Sequence, residues 1–160
     1  LPFNRHTGPS MSAFNAWLLV KSLETLHMRV NAMTDSAQEV AEFLEKHSKI
    51  QLVRHPGLSS HPHHKLAMEQ MSGRGGSMIG FEVKGGKSAA FEVMNKLRVI
   101  DISNNLGDSK SLITHPASST HRRLSPETQN EMGIHAGTLR LSVGLEASTD
   151  LIKDLQQALS

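Results

Sequence analysis

The stretch Ser77-Met78-Ile79-Gly80-Phe81-Glu82-Val83-Lys84-Gly85-Gly86-Lys87-Ser88-Ala89-Ala90-Phe91-Glu92-Val93-Met94-Asn95-Lys96-Leu97 decides the fold class. Ile79, Phe81 and Val83 take one face of the first eight residues, and Gly80, Glu82 and Lys84 the other. A period of two marks a half-buried strand. Gly85-Gly86 turns the chain, and Ala90, Val93, Met94 and Leu97 then recur at helical spacing. The period changes from two to about 3.6 within one short segment, so a strand leads directly into a helix.

The same grammar extends outward. Downstream, Val99 to Ser103 reads as a strand, and Asn104 to Arg123 as a long polar loop with little periodicity. Ser125-Pro126-Glu127 starts a helix, with a capping hydroxyl followed by proline at the first helical position. Thr138 to Val143 alternates as a second clean strand, and Ser148 to Leu159 closes the chain as a helix with Leu151, Ile152, Leu155 and Leu159 inward. Upstream, Gln51 to His55 is a short strand stopped by Pro56-Gly57, and His61 to Met71 a short helix. From Ser12 to about His47, Leu19, Leu23, Leu26, Val30, Met33, Ala37, Val40 and Leu44 step alternately by four and three. That is one apolar stripe on a long helix, capped by Ser10 or Ser12 and expected to bend where Asn31, Thr34, Asp35 and Ser36 interrupt it. The stripe is read as lying along the protein's own core rather than forming a coiled coil. The expected fold class is α/β, a sandwich of about four strands covered by helices. Half-buried strands point to a mainly antiparallel sheet. Residues 1–47 form the long connecting helix and its lead-in, and residues 48–160 a small α/β domain.

Composition bounds the chemistry. The chain has 160 residues and no cysteine, which excludes a disulfide framework, a thiolate nucleophile and a thiolate metal site. The net charge is +2, so no basic field marks a nucleic-acid partner. No apolar run approaches the ~18 residues of a membrane span, so no membrane partner is expected either. A cytoplasmic location fits these features. The chain begins with Leu1 rather than methionine and is read as part of something longer.

Four features carry candidate chemistry. His55, His61, His63 and His64 have the residue type of a metal site, but Pro56 and Pro62 make the segment a turn and no nearby carboxylate completes it. It is read as a surface loop that caps the next helix. Gly85-Gly86-Lys87-Ser88 resembles the end of a phosphate-binding loop. Phe81 stands where that motif needs glycine, so the segment is read as a strand-to-helix turn. Ser72-Gly73-Arg74-Gly75-Gly76 is likewise read as a flexible turn. The polar stretch from Asn104 to His121 is long for a compact domain, and such loops often face ligands. Finally, the alternation of Thr138 to Val143 turns Arg140 away from the core, between Thr138 and Ser142. A guanidinium fixed on a strand suits bidentate recognition of a carboxylate or phosphate, although a solvent-facing arginine would share this spacing.

Several segments together resemble the pyridoxal-phosphate enzymes of Cys/Met metabolism. They are Arg140-Leu141-Ser142-Val143-Gly144-Leu145-Glu146, the pattern from Leu106 through His121, His55-Pro56-Gly57-Leu58 with Ser60-His61-Pro62, and Gln70-Met71-Ser72-Gly73 with Gly75-Gly76. Met11 to Ala16 and Leu23-Glu24-Thr25-Leu26 add to them, in the same order along the chain. His6 to Ser10 and Asn104 to Asp108 are most similar to the branch that joins sulfide to an activated homoserine, with the γ-synthases and the β- and γ-lyases as sister branches.

The resemblance implies a fold-type-I, aminotransferase-like enzyme, of which this chain would be the C-terminal small domain and the helix leading into it. It implies pyridoxal phosphate as cofactor, an activated homoserine and sulfide as substrates, an N-terminal large domain as the missing partner, and a tetrameric homo-oligomer. It also implies what is not here. No S-x-T-K segment is present to hold the cofactor through its lysine, and there is no tyrosine, so no catalytic residue is assigned to this chain and no cofactor is expected on it alone. The resemblance carries the substrate-carboxylate arginine onto Arg140. It places Asn105 where most relatives have a serine that helps hold that carboxylate, and Asn104 toward the substrate side chain. Thr120 and His121 match the end of the loop that closes the site. Ala13 stands where relatives have proline, which costs pre-organisation but no chemistry. The reading from another class is a stand-alone α/β binding or assembly module.

Overall fold

The computed structural model describes residues 6, 8 and 11–160. Ser10 and most of the segment from His6 to Ser10 lie outside the described residues. Helix α1 spans Ala13–Leu23 and α2 spans Leu26–Lys46. Strand β1 (Ile50–Arg54) and helix α3 (His64–Gln70) precede β2 (Met78–Val83) and α4 (Gly86–Lys96). Strands β3 (Asp101–Ile102) and β4 (Leu112–Thr114) are followed by a 3₁₀ turn at Pro116–Ser118. Helix α5 (Pro126–Glu131), strand β5 (Thr138–Ser142) and helix α6 (Ser148–Ala158) complete the order.

The five strands run in the order β1-β2-β5-β4-β3. Every pairing is antiparallel except β3 with β4. Helices α2 and α4 pack on one face of the sheet, and α6 packs against both of them. Between them and the strands lies the core: Val40, Leu44, Ile79, Phe81, Val93, Ile113, Leu139, Leu141, Val143, Leu151 and Leu155. The alternation read in β2 and β5 therefore holds, with Ile79, Phe81 and Val83 buried against the helices. The other face carries Arg54, Gly80, Glu82, Thr138, Arg140, Ser142 and Thr114, and no helix is packed along it among the described residues.

Four expectations need correction. The sheet has five strands rather than about four, because Leu112–Thr114 forms a strand inside the stretch read as a structureless loop. All three of its residues are buried, Leu112 included, so it shows no alternation. The long helix is two helices, broken at Glu24-Thr25 rather than bent at Asn31–Ser36. Arg29 Nη2 donates to the Ser22 carbonyl at that break, whereas Thr34 is buried and Asn31 amide pairs with His27 Nε2 within the unbroken helix. The stripe is also divided: Met33, Ala37, Val40 and Leu44 are buried, but Leu19, Leu23, Leu26 and Val30 are exposed. The third expected strand shrinks to Asp101–Ile102, since Asp154 takes the backbone N–H groups just before it, as described below. Lastly, the short helix starts at His64 rather than His61, after turns closed by His61 N to Leu58 O and His64 N to His61 O. The caps at Ser12 and Ser125 form as read, each side chain accepting a backbone N–H three residues on.

Candidate functional site

Arg140 sits mid-strand in β5, opposite Gly80 on one side and Thr114 on the other, on the face away from the helices. It is half-buried. Its Nη2 donates to two backbone carbonyls, Asn104 O at 2.8 Å and Asn105 O at 3.2 Å. Its Nε is buried and has no hydrogen-bond partner among the described residues. A buried donor left unpaired costs free energy that an arriving acceptor would recover. The side chain is thus aimed by two carbonyls while its Nε keeps an unused hydrogen that a carboxylate oxygen could accept.

The carbonyls lie on the segment from Asn104 to Lys110, all of whose residues are exposed. Strand β5 and its continuation hold this segment along its length. Gly107 N donates to Ser142 Oγ at 3.0 Å, and Leu145 N to Ser109 O at 2.8 Å. The Glu146 carboxylate accepts from both Ser111 N and Ser111 Oγ, each at 2.8 Å. Ser111 Oγ in turn accepts from Gly144 N at 2.9 Å. At Gly144 a Cβ would stand 2.4 Å from Ser109 O and 2.5 Å from Lys110 C, so the loop backbone passes where a side chain would be.

Of the residues singled out by sequence, Asn104 and Asn105 are brought to Arg140, but by their backbone carbonyls and not by their exposed side chains. Thr120 is exposed, its Oγ1 pairs with His121 Nδ1 at 2.8 Å, and His121 is fixed by Pro116 O and Gln129 Nε2. Among the described residues no hydrogen bond joins either of them to Arg140. Sequence reasoning missed Ser142, Ser111 and Glu146. For Ser142 a signal existed, since the alternation that exposes Arg140 puts Ser142 on the same face.

The histidine segment differs from expectation. His55 is not on the surface but fully buried, its Nδ1 bonded to Met78 O at 3.1 Å and its pKa lowered by burial. Its Nε2 is buried without a hydrogen-bond partner among the described residues. His63 precedes α3 without a side-chain capping bond. Among the described residues no three histidine, aspartate or glutamate side chains gather as a metal site. The Gly85-Gly86 segment is the turn it was read as, with φ of +100° and +68°, and Lys87 Nζ lies over the Phe91 ring at 5.5 Å. Ser72–Gly76 is a turn as well, but it is tied down, because Arg74 bonds the Asp35 side chain and Asn31 O.

Among the described residues, Arg140 bonds the Asn104 and Asn105 carbonyls and stands beside Gly80 and Thr114 in the sheet, and none of these groups is an amine or an aromatic ring. Lysines of the chain bond surface partners instead: Lys84 with Ser48 O, Lys96 with Glu92 and Lys110 with Asp101. This donor set fits an amino-acid carboxylate. It does not by itself fit pyridoxal phosphate, which needs an amine for its aldehyde and a ring or apolar wall for its own ring.

Residues 2–160 match the family model described as Cys/Met metabolism PLP-dependent enzyme. The O-succinylhomoserine sulfhydrylase of Mycobacterium tuberculosis H37Rv is 54% identical over 160 residues, covering 98% of this chain and 39% of that protein. The protein of the same name from Pseudomonas aeruginosa is 46% identical over 158 residues, covering 99% of this chain and 39% of its own length. An L-methionine gamma-lyase of Porphyromonas gingivalis is 46% identical over 153 residues, covering 96% and 38%. Among solved structures, a Campylobacter jejuni chain named as an O-acetylhomoserine (thiol)-lyase, carrying a pyridoxyl-lysine phosphate, superposes with a TM-score of 0.90 at 42% identity. That match covers 98% of this chain and 37% of the other. The chain therefore spans about two fifths of the length of the curated relatives it matches.

Proposed function

The chain belongs to the Cys/Met metabolism PLP-dependent enzymes, and from that premise we propose that it is the substrate-carboxylate-binding portion of an O-succinylhomoserine sulfhydrylase. In this reading residues 1–47 connect to a large domain and residues 48–160 are the small domain. The reaction is a γ-replacement: sulfide forms a C–S bond at the γ-carbon while the C–O bond to succinate breaks, giving homocysteine and succinate. The electron sink this chemistry needs would be pyridoxal phosphate, held outside this chain.

This chain's part is to bind and orient. Arg140 holds the α-carboxylate through its unpartnered Nε while Nη2 stays on the carbonyls of Asn104 and Asn105. A charge-assisted bond from a guanidinium already aimed by two carbonyls fixes the place of the amino acid, so that one bond at the α-carbon is aimed consistently. Asn104 faces the substrate side chain, and the Thr120–His121 segment closes over it. The parent protein is a cytoplasmic homo-oligomer, a tetramer by family likeness. Among the described residues no helix is long and apolar enough to cross a membrane.

The single observation that carries this reading is the buried, unpartnered Arg140 Nε on a strand matched over the whole chain to sulfhydrylases. The test is homocysteine formation by the full-length protein from O-succinylhomoserine and sulfide, beside the 160-residue chain with added pyridoxal phosphate. The full-length protein should turn over, and the chain alone should show neither turnover nor a stoichiometric lysine-linked absorbance. Release of ammonia and a 2-oxo acid without homocysteine would replace this reading by elimination chemistry.

A further inference from the structure

Arg140 does not set its own orientation. Both contacts that aim its guanidinium are backbone carbonyls of Asn104 and Asn105, on a loop segment whose residues are all exposed. Where those carbonyls stand depends on what holds the loop. The nearest fixed point is Ser142, two residues beyond Arg140 on the same strand and the same face, fully buried, with its Oγ accepting Gly107 N at 3.0 Å. The far end of the loop is fixed by Glu146, whose two carboxylate oxygens take Ser111 N and Ser111 Oγ.

We propose that Ser142 and Glu146 are positioning residues for substrate-carboxylate recognition: they pin the segment from Asn104 to Ser111 so that its carbonyls hold the Arg140 guanidinium in its gripping orientation. The strand Arg140-Leu141-Ser142 and the residues after it thus bind the loop at several points, Arg140 to Asn104 and Asn105, Ser142 to Gly107, Gly144 to Ser111, Leu145 to Ser109 and Glu146 to Ser111. Neither Ser142 nor Glu146 touches substrate in this scheme. Removing the Ser142 hydroxyl frees Gly107 and lets the carbonyl pair drift, and the guanidinium then loses its aim while keeping its charge. Because a hydroxyl is exchanged for a hydrogen, the fold is barely perturbed. This inference rests on Arg140 being the carboxylate-binding group, and a double-mutant cycle separates the two claims.

The experiment compares Ser142→Ala, Glu146→Ala, Glu146→Gln, Arg140→Ala and the Arg140→Ala/Ser142→Ala pair in the full-length, cofactor-loaded protein, with O-succinylhomoserine and sulfide. Ser142→Ala and Glu146→Ala should raise KM for the amino acid about tenfold while kcat stays within about twofold and KM for sulfide is unmoved. Glu146→Gln, which keeps an acceptor for Ser111 N, should recover most of that loss. In the Arg140→Ala background, Ser142→Ala should add less than twofold. An unchanged KM in Ser142→Ala, or a full tenfold effect that persists without Arg140, overturns the positioning role. An unchanged KM in Arg140→Ala instead removes the reading on which it rests.

Discussion

Replacing Asp154 by alanine should destabilise this chain more than any other single surface-adjacent change. Asp154 lies in α6 and is 4% exposed. Its carboxylate accepts the backbone N–H groups of Arg98, Val99 and Ile100 at 2.9, 2.9 and 3.0 Å, and a Gln157 Nε2 hydrogen at 3.1 Å. One side chain thereby fixes the chain between α4 and β3. Hydrogen bonds to a charged group contribute roughly 1.5–3 kcal/mol each. Three backbone bonds at the low end give about 4 kcal/mol, because Arg98 and Val99 are exposed and water can replace part of the loss. For a domain of this size that is a fall in Tm of about 8–16 °C. Asp154→Asn keeps one good acceptor and should lose about half as much. Burial alone would push this carboxyl up, but the three N–H groups and the Gln157 amide outweigh it and hold the pKa below the usual carboxylate range. Since the folded-state value is the lower one, the contribution is complete above the unfolded pKa near ~4 and is lost as pH falls through the folded value. The assay is urea unfolding of wild type and both variants at pH 7 and at stepwise lower pH. The gap between wild type and Asp154→Ala should be about 4 kcal/mol at pH 7 with an unchanged slope, and should narrow in acid. A gap below 1 kcal/mol at pH 7, or one that widens in acid, would refute the reasoning.

Two further outcomes follow from packing. Gly144→Ala places a methyl 2.4 Å from Ser109 O, so the loop must move away; urea unfolding should show a loss of about 2 kcal/mol, and an equally stable variant would show that the loop is not held there. Helix α1 has no buried residue and exposes Phe14, Trp17, Leu18, Leu19, Val20 and Leu23. An apolar surface of this extent drives association, so the 160-residue chain should self-associate in sedimentation velocity, and Leu19→Glu with Val20→Glu should make it monomeric. A monomeric wild type would contradict this.

Much of the fold was legible because its two principal strands are half-buried. Ile79, Phe81 and Val83, and Leu139 and Leu141, alternate with residues that face away, and the pattern gives both the strand and its inner face. Strand β4 escaped for the opposite reason. Leu112, Ile113 and Thr114 are buried on both faces, Leu112 beneath the side that carries Arg140, and three residues between polar neighbours offer no period. The helix break at Glu24-Thr25 was invisible because the apolar stripe stays in phase across it. His55 is buried although its neighbours are turn formers, an outcome set by tertiary packing rather than local composition.

The site was half legible. Strand alternation turned Arg140 outward, and the family likeness gave it a role. Its actual partners are the carbonyls of Asn104 and Asn105, and backbone carbonyls carry no residue-type signal. The side chains of both asparagines are left free of Arg140, on exposed residues. Ser142 and Glu146 act through loop backbone and Ser111, contacts that only the fold brings together.

The most direct measurement is a crystal structure of the full-length protein with an unreactive analogue of its amino-acid substrate bound. The account predicts the α-carboxylate on Arg140, with one oxygen about 3 Å from Nε and the Asn104 and Asn105 carbonyls still on Nη2. A carboxylate held by other residues, with Arg140 Nε still unpartnered, would contradict it.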